Sequence, residues 1–424
     1  VMQAFVGQDI FDNCCETDIP GFDVITTNLG GRKYPQLLLG ANIVSTVAAW
    51  TGKKTVLSEC MALSPFNMNY YGEKRIADWL FANGINLLVL HAFYYGYSAF
   101  QRSEAGKSFF FQDENFCDYR KFAGYAGRVC KILHEYRRQN DILLIIPISC
   151  IRENVFHFSK DNTCARIYES IISFVRAAAE NQTGFDVVYS DKISKCTIIN
   201  GKLRVADCEY DKVYMVNGGK DEDDIYKRLS AKGVDVIMFN ETQNFDFTPK
   251  YTAERAIDLI AYEKIDDRGK LIFLFNNCDE YKKYKIQLKD YAYVYDAETD
   301  EKKRLKTDEG YAEICMQAYD SVIVLTFDTE QSASSEYKIE PPATQERHEY
   351  LKNPQIFYKP KGAKGVICSY NLEILAGGVK TCYENVKNKR LRDVYGTQNK
   401  IYRDRYVIPY YDNAPQIPDI YPVK

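Results

Sequence analysis

The sequence predicts a multidomain protein in which an α/β region is followed by an antiparallel β region. Up to about residue 245, short apolar runs alternate with segments of helical apolar spacing, as in α/β proteins. After about Tyr262 the apolar period changes to two, which is typical of antiparallel strands. With 424 residues the chain is long enough for two to four domains and a large buried core.

The first 140 residues predict a repeated strand and helix pattern. Apolar runs predict strands over 22–26, 55–58 and 85–90, and helical spacing predicts helices over 37–50, 74–81 and 116–138. Repeated β-α pairs favour either a parallel barrel or a doubly wound sheet. Three strands cannot close a (β/α)8 barrel by themselves.

A second α/β unit, predicted over 141–245, has a flavodoxin-like pattern. Its predicted strands are 142–148, 186–189, 197–199, 202–205, 210–216 and 234–239, with helices near 165–181 and 221–232. The dipeptide Asn200-Gly201 predicts a tight type I′ hairpin turn.

The remainder of the chain is predicted to be β-structured. Strands over 270–275, 283–288, 291–295, 312–316 and 321–327 predict a small β-sandwich at 246–330. The polar, proline-containing stretch 328–346 predicts a linker. Residues 331–424 form a β-rich region that we expect to be truncated, because the sequence stops at Lys424 without a terminal helix or tail.

Composition and charge exclude several classes of partner. A net charge of -3 lacks the basic balance expected of a nucleic-acid-binding protein. No apolar run of about 18 residues occurs, so we expect no membrane partner. Aromatic residues make up 14% of the chain, and the 34 tyrosines suit both strand surfaces and platforms on which sugars stack.

The cysteines indicate a cytoplasmic location and no metal site. The 13 cysteines form an odd, scattered set without a CxxC pair or a histidine spaced to complete a zinc site. We therefore expect free thiols in a reducing compartment, and no cofactor. The chain opens at Val1 rather than at a methionine, from which we expect an upstream segment to be missing.

Ionisable residues at strand ends are the candidate functional groups. Glu59 and His91 follow two apolar runs joined by a helix, and in parallel α/β folds ligands gather at the carboxyl ends of strands. A buried carboxylate is costly unless it is paired or used, so Glu59 is either catalytic or held in a salt bridge. His91, with Tyr94 and Tyr95 behind it, is either a sugar contact or a satisfied core residue.

Asp23 is a third candidate, because the turn Pro20-Gly21 directs the chain into a strand that carries this carboxylate. Helix capping or a loop salt bridge explains Asp23 as well as a substrate contact does.

Several of these segments together resemble one family. Segments 19–23, 56–60, 76–79, 84–86 and 91–95 resemble the catalytic barrel of large bacterial glycoside hydrolases of the α-L-rhamnosidase-like group, which are related in architecture to β-galactosidases. The best matches lie within residues 15–140, and the later order of a flavodoxin-like domain and β-sandwich regions is similar in kind.

The resemblance implies that residues 1–140 are the C-terminal part of a (β/α)8 barrel. It implies a catalytic role for Glu59 and places His91, Tyr94 and Tyr95 at the sugar pocket, with Asp23 as a further substrate contact. Glycoside hydrolysis needs two carboxylates, so the partner of Glu59 is expected upstream of Val1. The implied function is cleavage of a terminal sugar, such as that of an α-L-rhamnoside, from an oligosaccharide or glycoside by a longer enzyme. The alternative is a non-catalytic carbohydrate-binding or inactive remnant protein.

Overall fold

The computed structural model describes most of the chain up to residue 339. It covers residues 2–4, 9–24, 34–64, 68–94, 107–110, 116–154, 163–240, 245–252, 255–288 and 291–339, and the backbone of 355–358, 368–375 and 380–384.

Helices and strands are numbered here along the described residues. The helices are α1 Ile10–Cys15, α2 Tyr34–Trp50, α3 Tyr70–Phe81, α4 Phe116–Glu135, α5 Ile148–Asn154, α6 Thr163–Glu180 and α7 Lys220–Ala231. The strands of the α/β region are β1 Met2–Ala4, β2 Pro20–Val24, β3 Leu57–Cys60, β4 Leu87–Leu90, β5 Arg137–Arg138, β6 Ile142–Ile146, β7 Asp186–Tyr189, β8 Thr197–Ile199, β9 Lys202–Val205, β10 Cys208–Tyr210, β11 Lys212–Val216 and β12 Asp235–Phe239. The later strands are β13 Leu259–Ile265, β14 Gly269–Asn276, β15 Lys282–Gln287, β16 Tyr291–Asp296, β17 Glu301–Leu305, β18 Tyr311–Met316, β19 Ser321–Phe327, β20 Ser335–Glu336, β21 Gln355–Tyr358, β22 Cys368–Leu375 and β23 Lys380–Glu384.

The first sheet consists of four parallel strands in chain order, β1-β2-β3-β4. Helix α3 connects β3 to β4, and its N-cap is Asn69, whose side chain accepts a hydrogen bond from the amide of Gly72. Apolar residues of α3 are fully buried, among them Trp79, Leu80 and Phe81. The strands therefore deliver their carboxyl ends to one edge of a well-anchored layer.

The second sheet is also parallel, with the order β12-β11-β6-β7. Strand β7 is buried along its whole length, as expected for a parallel sheet covered on both faces. Beside it, β10-β9-β8 form a small antiparallel sheet. The predicted tight turn is present, because Asn200 and Gly201 both have positive φ values, 52° and 75°.

The third sheet has seven strands in the order β20-β17-β16-β19-β14-β13-β5, and it is antiparallel except between β17 and β20. One face packs against the two-stranded sheet β15-β18, with Ile272 and Ile286 in a shared core. The other face belongs to the main core, where the rings of Phe273 and Phe81 lie 6.0 Å apart. The sheet is thus buried on both faces.

Some boundaries differ from the predicted ones for identifiable reasons. The predicted strand 210–216 breaks at Asp211, whose amide donates to the carbonyl of Asp141 at 2.8 Å as the chain moves into the parallel sheet. The predicted helix 116–138 ends at Glu135. Arg137–Arg138 instead pairs with β13, so the end of the first region joins the third sheet.

Two strands lack the apolar alternation that predicts strands. The charged segment Glu301–Leu305 forms β17, and its exposed polar residues suit a strand near a sheet edge. The stretch predicted to be a linker contains β20, which pairs with β17.

The described residues contain free thiols and no helix that could span a membrane. The 11 cysteines found there are all free thiols, as predicted. Within those residues no helix has the length and apolar character that crossing a bilayer requires.

Candidate active site

Two carboxylates lie side by side on adjacent parallel strands. Asp23 of β2 is in register with Glu59 of β3, and Glu59 is in register with Val89 of β4. Neighbouring strands are about 4.8 Å apart, and residues in register project from the same face of a sheet. One face of the first sheet therefore carries a row of two acidic side chains and Val89, whose side chain is 42% exposed.

His91 extends this group on the fourth strand. Its amide donates to the carbonyl of Cys60 at 3.0 Å, which continues the strand pairing one residue beyond β4. The ring of Tyr94 meets the ring of His91 edge to face, with centroids 6.4 Å apart. The Nδ1 atom of His91 and the Oδ1 atom of Asp23 are buried and have no hydrogen-bond partner among the described residues.

The electrostatics of Asp23 are strongly perturbed. Burial, and after it the negative charge of Glu59, raise the pKa of Asp23 from 3.8 to about 6, although His91 acts in the opposite direction. Within the described part of the chain, neither carboxylate forms an ion pair with lysine or arginine. A carboxyl group that keeps its proton up to about pH 6 beside a second carboxylate is able to act as an acid.

The segment that leads into strand β3 is held by a side chain from the loop between α3 and β4. Asn86 accepts a hydrogen bond from the amide of Val56 and donates one to the carbonyl of Lys54, both at 2.7 Å. Gly84, two residues earlier, has a φ of 96°, and a Cβ there would lie 2.7 Å from the hydroxyl oxygen of Ser45. These contacts give Glu59 a defined position, because they hold the strand that carries it.

The structure brings together three of the five predicted site residues, Asp23, Glu59 and His91, and places Tyr94 against His91. Tyr95 lies outside the described residues. The pairing of Asp23 with Glu59 was missed in the sequence. The predicted strands 22–26 and 55–58 place Asp23 near the start of its strand and Glu59 just beyond the end of its strand, so the sequence carried no signal for this pairing.

A metal site is not evident in the described residues. Their histidine, cysteine, aspartate and glutamate side chains include no group of three or more that could hold a metal ion.

The fold of the chain is similar to that of two solved glycosidases. The chain superposes on a rhamnosidase from Novosphingobium sp. PP1Y with a TM-score of 0.54 and 13% identity, covering 82% of this chain and 37% of that one. It superposes on a β-galactosidase from Bacillus circulans sp. alkalophilus with a TM-score of 0.53 and 8% identity, covering 75% and 61% respectively.

These similarities confirm, at the level of the fold, the resemblance predicted from the sequence segments. The chain spans less than two thirds of the length of either enzyme. Neither a protein-family profile nor a curated protein sequence matches the chain significantly.

Proposed function

We propose that the chain is a glycoside hydrolase, or part of a longer one, that removes a terminal sugar from an oligosaccharide or glycoside. The observation that carries this proposal is the register of Asp23 with Glu59 at the edge where His91 also lies. Two neighbouring carboxyl groups, one of which holds a proton near pH 6, provide what glycoside hydrolysis requires. An α-L-rhamnoside is the first substrate to test, since the similar Novosphingobium protein is a rhamnosidase.

In the proposed reaction Glu59 is the nucleophile and Asp23 is the proton donor. A carboxylate oxygen of Glu59 forms a bond to the anomeric carbon as the glycosidic C–O bond breaks, and the leaving oxygen takes the proton of Asp23. Water then cleaves the glycosyl ester and gives a proton back to Asp23. Carboxylates in register on adjacent strands favour a short separation, like the roughly 5–5.5 Å of retaining enzymes rather than the roughly 6.5–9.5 Å of inverting enzymes, so we expect retention.

The sugar is proposed to contact the side chains that surround the two carboxylates. His91 has a buried ring nitrogen without a partner among the described residues, and it would donate to or accept from a sugar hydroxyl. Tyr94 and Tyr95 would line the same pocket. As a proton donor Asp23 would also touch the substrate, as the sequence predicts.

The proposed architecture follows from the strand orders. Successive parallel neighbours in the order β1-β2-β3-β4 fit part of a (β/α)8 barrel. Numbered along the chain, the second sheet has the order 2-1-3-4, which is the beginning of the flavodoxin-like order 2-1-3-4-5. The core shared by the third sheet and β15-β18 supports a β-sandwich. Free thiols support a cytoplasmic location.

Substitution of each carboxylate tests the assignment. Glu59→Gln should abolish turnover of methyl and 4-nitrophenyl α-L-rhamnosides and β-D-galactosides, with Glu16→Gln, an exposed residue before β2, as the matched control. Asp23→Asn should lower kcat about 10²- to 10⁴-fold for the methyl glycosides but far less for the nitrophenyl glycosides, which need no protonation to leave. Asp18→Asn is its matched control, because Asp18 is exposed in the same loop.

Three outcomes would contradict parts of the proposal. Near-normal turnover by Glu59→Gln would overturn the glycosidase assignment. Equal losses on both leaving groups in Asp23→Asn, expressed mainly in KM, would make Asp23 a substrate contact and leave the proton donor unassigned. Sugar binding by calorimetry without any hydrolysis by the unsubstituted protein, upstream sequence included, would favour the non-catalytic carbohydrate-binding alternative.

A further inference from the structure

Three exposed phenylalanines contact one another beside the carboxylate edge. Phe93, Phe110 and Phe116 are 46%, 40% and 37% exposed, and no other phenylalanine among the described residues is as exposed as these. With Tyr119 they form a closed cycle of ring contacts, here called the aromatic platform. The centroid distances around the cycle are 6.3, 5.5, 6.4 and 5.2 Å. Single exposed apolar side chains are ordinary, but a contiguous aromatic patch indicates a binding surface.

The platform rests on buried rings that hold it in place. Phe109 packs under Phe93, and Phe122 packs under Tyr119, with centroid distances of 6.4 and 6.3 Å. Both supporting rings are 2% exposed. The exposed rings are therefore part of a layered cluster whose lower layer belongs to the main core.

The backbone under the platform is also fixed. The amide of Phe109 donates to the carbonyl of Ala92 at 3.0 Å, which joins segment 107–110 to the chain that leaves β4. Lys107, almost completely buried, forms an ion pair with Glu73 of α3 at 2.7 Å. Because these contacts order the platform before any ligand arrives, binding would cost little conformational entropy.

The platform lies at the same edge of the first sheet as the carboxylates. Phe93 is two residues beyond His91, in the segment that follows β4 at its carboxyl end. A ligand whose anomeric carbon is held at Glu59 would extend along this edge, and the next part of the ligand beyond His91 would meet exposed rings rather than water.

We infer that the aromatic platform binds a second sugar ring of the substrate, so that the preferred ligand is a disaccharide or longer oligosaccharide. This inference rests on the proposed glycoside substrate. A pyranose ring has an apolar face of C–H groups, which stacks on aromatic rings, while its hydroxyl groups remain in water. The four rings of the platform are uncharged, which suits a neutral sugar.

Binding measurements on the full 424-residue chain test the inference separately from catalysis. The probes are methyl α-L-rhamnoside, methyl β-D-galactoside, a rhamnosyl-glucose disaccharide and lactose, because aromatic glycosides would themselves stack on the rings. The variant is the double substitution Phe93→Ser and Phe110→Ser. Ile199→Ser is the matched control, since Ile199 is 45% exposed on the hairpin strand β8 of a different sheet.

We expect the wild-type chain to bind one disaccharide more tightly than the corresponding methyl glycoside. The double variant should bind that disaccharide about tenfold more weakly, because two stacking contacts are lost. Its affinity for the methyl glycoside should change little. The control should keep the full preference. Thermal unfolding at an unchanged Tm would show that both variants are folded.

The other possible outcomes separate the platform inference from the proposed hydrolase function. A disaccharide preference that survives in the double variant, or no such preference in the wild-type chain, would overturn the platform inference even if the wild-type chain hydrolyses glycosides. Suppose that the double variant loses the disaccharide preference and that the wild-type chain hydrolyses no glycoside. This pair of results would support the platform and count against the proposed hydrolase. A wild-type dimer that becomes a monomer in the double variant during sedimentation would overturn the inference, because the patch would then be a contact between copies.

Discussion

Lys264 is a buried lysine whose charge should limit the stability of the fold at neutral pH. Its side chain is 5% exposed in strand β13, and its ammonium donates to the carbonyl of Leu133 in α4. Burial, and after it the positive charge of Arg138, its partner in register, lower the pKa of Lys264 from 10.5 to about 7. We predict that Lys264→Met stabilises the protein at pH 7.

The size of the effect follows from the shift in pKa. A fall from 10.5 to about 7 corresponds to about 5 kcal/mol of destabilisation by Lys264 at low pH, since each pKa unit is about 1.4 kcal/mol. This penalty is fully present below pH 7, because the lysine is then charged in both the folded and the unfolded chain. It declines as pH rises and is absent above pH 10.5, so wild-type stability gains from this group across that window.

The substitution also leaves the carbonyl of Leu133 without its donor, which costs about 1–3 kcal/mol. The net gain of Lys264→Met should therefore be about 2 kcal/mol at pH 7, and it should become a loss of about 1–2 kcal/mol at pH 10.

Urea unfolding from pH 6 to pH 10, followed by the fluorescence of buried Trp50 and Trp79, measures this difference. Lys285→Met, at an exposed position of β15, is the control and should show no pH-dependent difference. A difference between Lys264→Met and wild type that stays constant from pH 6 to pH 10 would refute the reasoning, because it would mean that Lys264 is not neutralised by folding.

Three further predictions concern stability. Asp23→Asn should raise the unfolding free energy by about 1 kcal/mol at pH 7, because the raised pKa of Asp23 means that its half-buried carboxylate destabilises the fold above about pH 6. The gain should vanish below pH 4, where Asp23 is protonated in both the folded and the unfolded chain. An effect in urea titrations that does not change with pH would contradict this prediction. Glu73→Gln should cost about 3 kcal/mol because it removes the carboxylate that forms an ion pair with buried Lys107. The double variant Glu73→Leu with Lys107→Met should lose less, and equal losses in denaturation midpoints would argue against this reasoning. Gly269→Ala should lower the unfolding free energy by at least about 2 kcal/mol, since its Cβ would lie 1.9 Å from a carbonyl oxygen of β19. Gly127→Ala should instead raise Tm, because Gly127 lies on the exposed face of α4 and alanine favours the helix more than glycine does.

Much of the fold could be predicted because its strands and helices carry strong local patterns. Strands β7, β8, β9 and β19 begin and end at the predicted residues, since apolar runs and the Asn-Gly turn mark them directly. Strand β17 could not be predicted in this way, because its stability comes from pairing with β16 rather than from its own apolar residues. Strand β5 has only two residues and depends on β13, which is more than 120 residues away in the sequence.

The candidate site was predictable residue by residue but not as an arrangement. Strand ends identified Glu59 and His91, and a turn identified Asp23. Their proximity depends on the register between β2 and β3, which is set by packing of both strands against the helices. The perturbed pKa of Asp23 depends in turn on this proximity and on burial, so only the folded chain reveals it.

The seven-stranded sheet, with an apolar core on each face, affects how this protein could be divided into parts. A chain cut near residue 250 would leave the helices behind Glu59 without Phe273 and its neighbours, and the downstream strands without their helical cover. The two halves should therefore aggregate when produced separately and unfold as one cooperative unit when joined. If the sheet that carries the carboxylates were transferred to another protein, the strands up to β19 would have to be transferred with it.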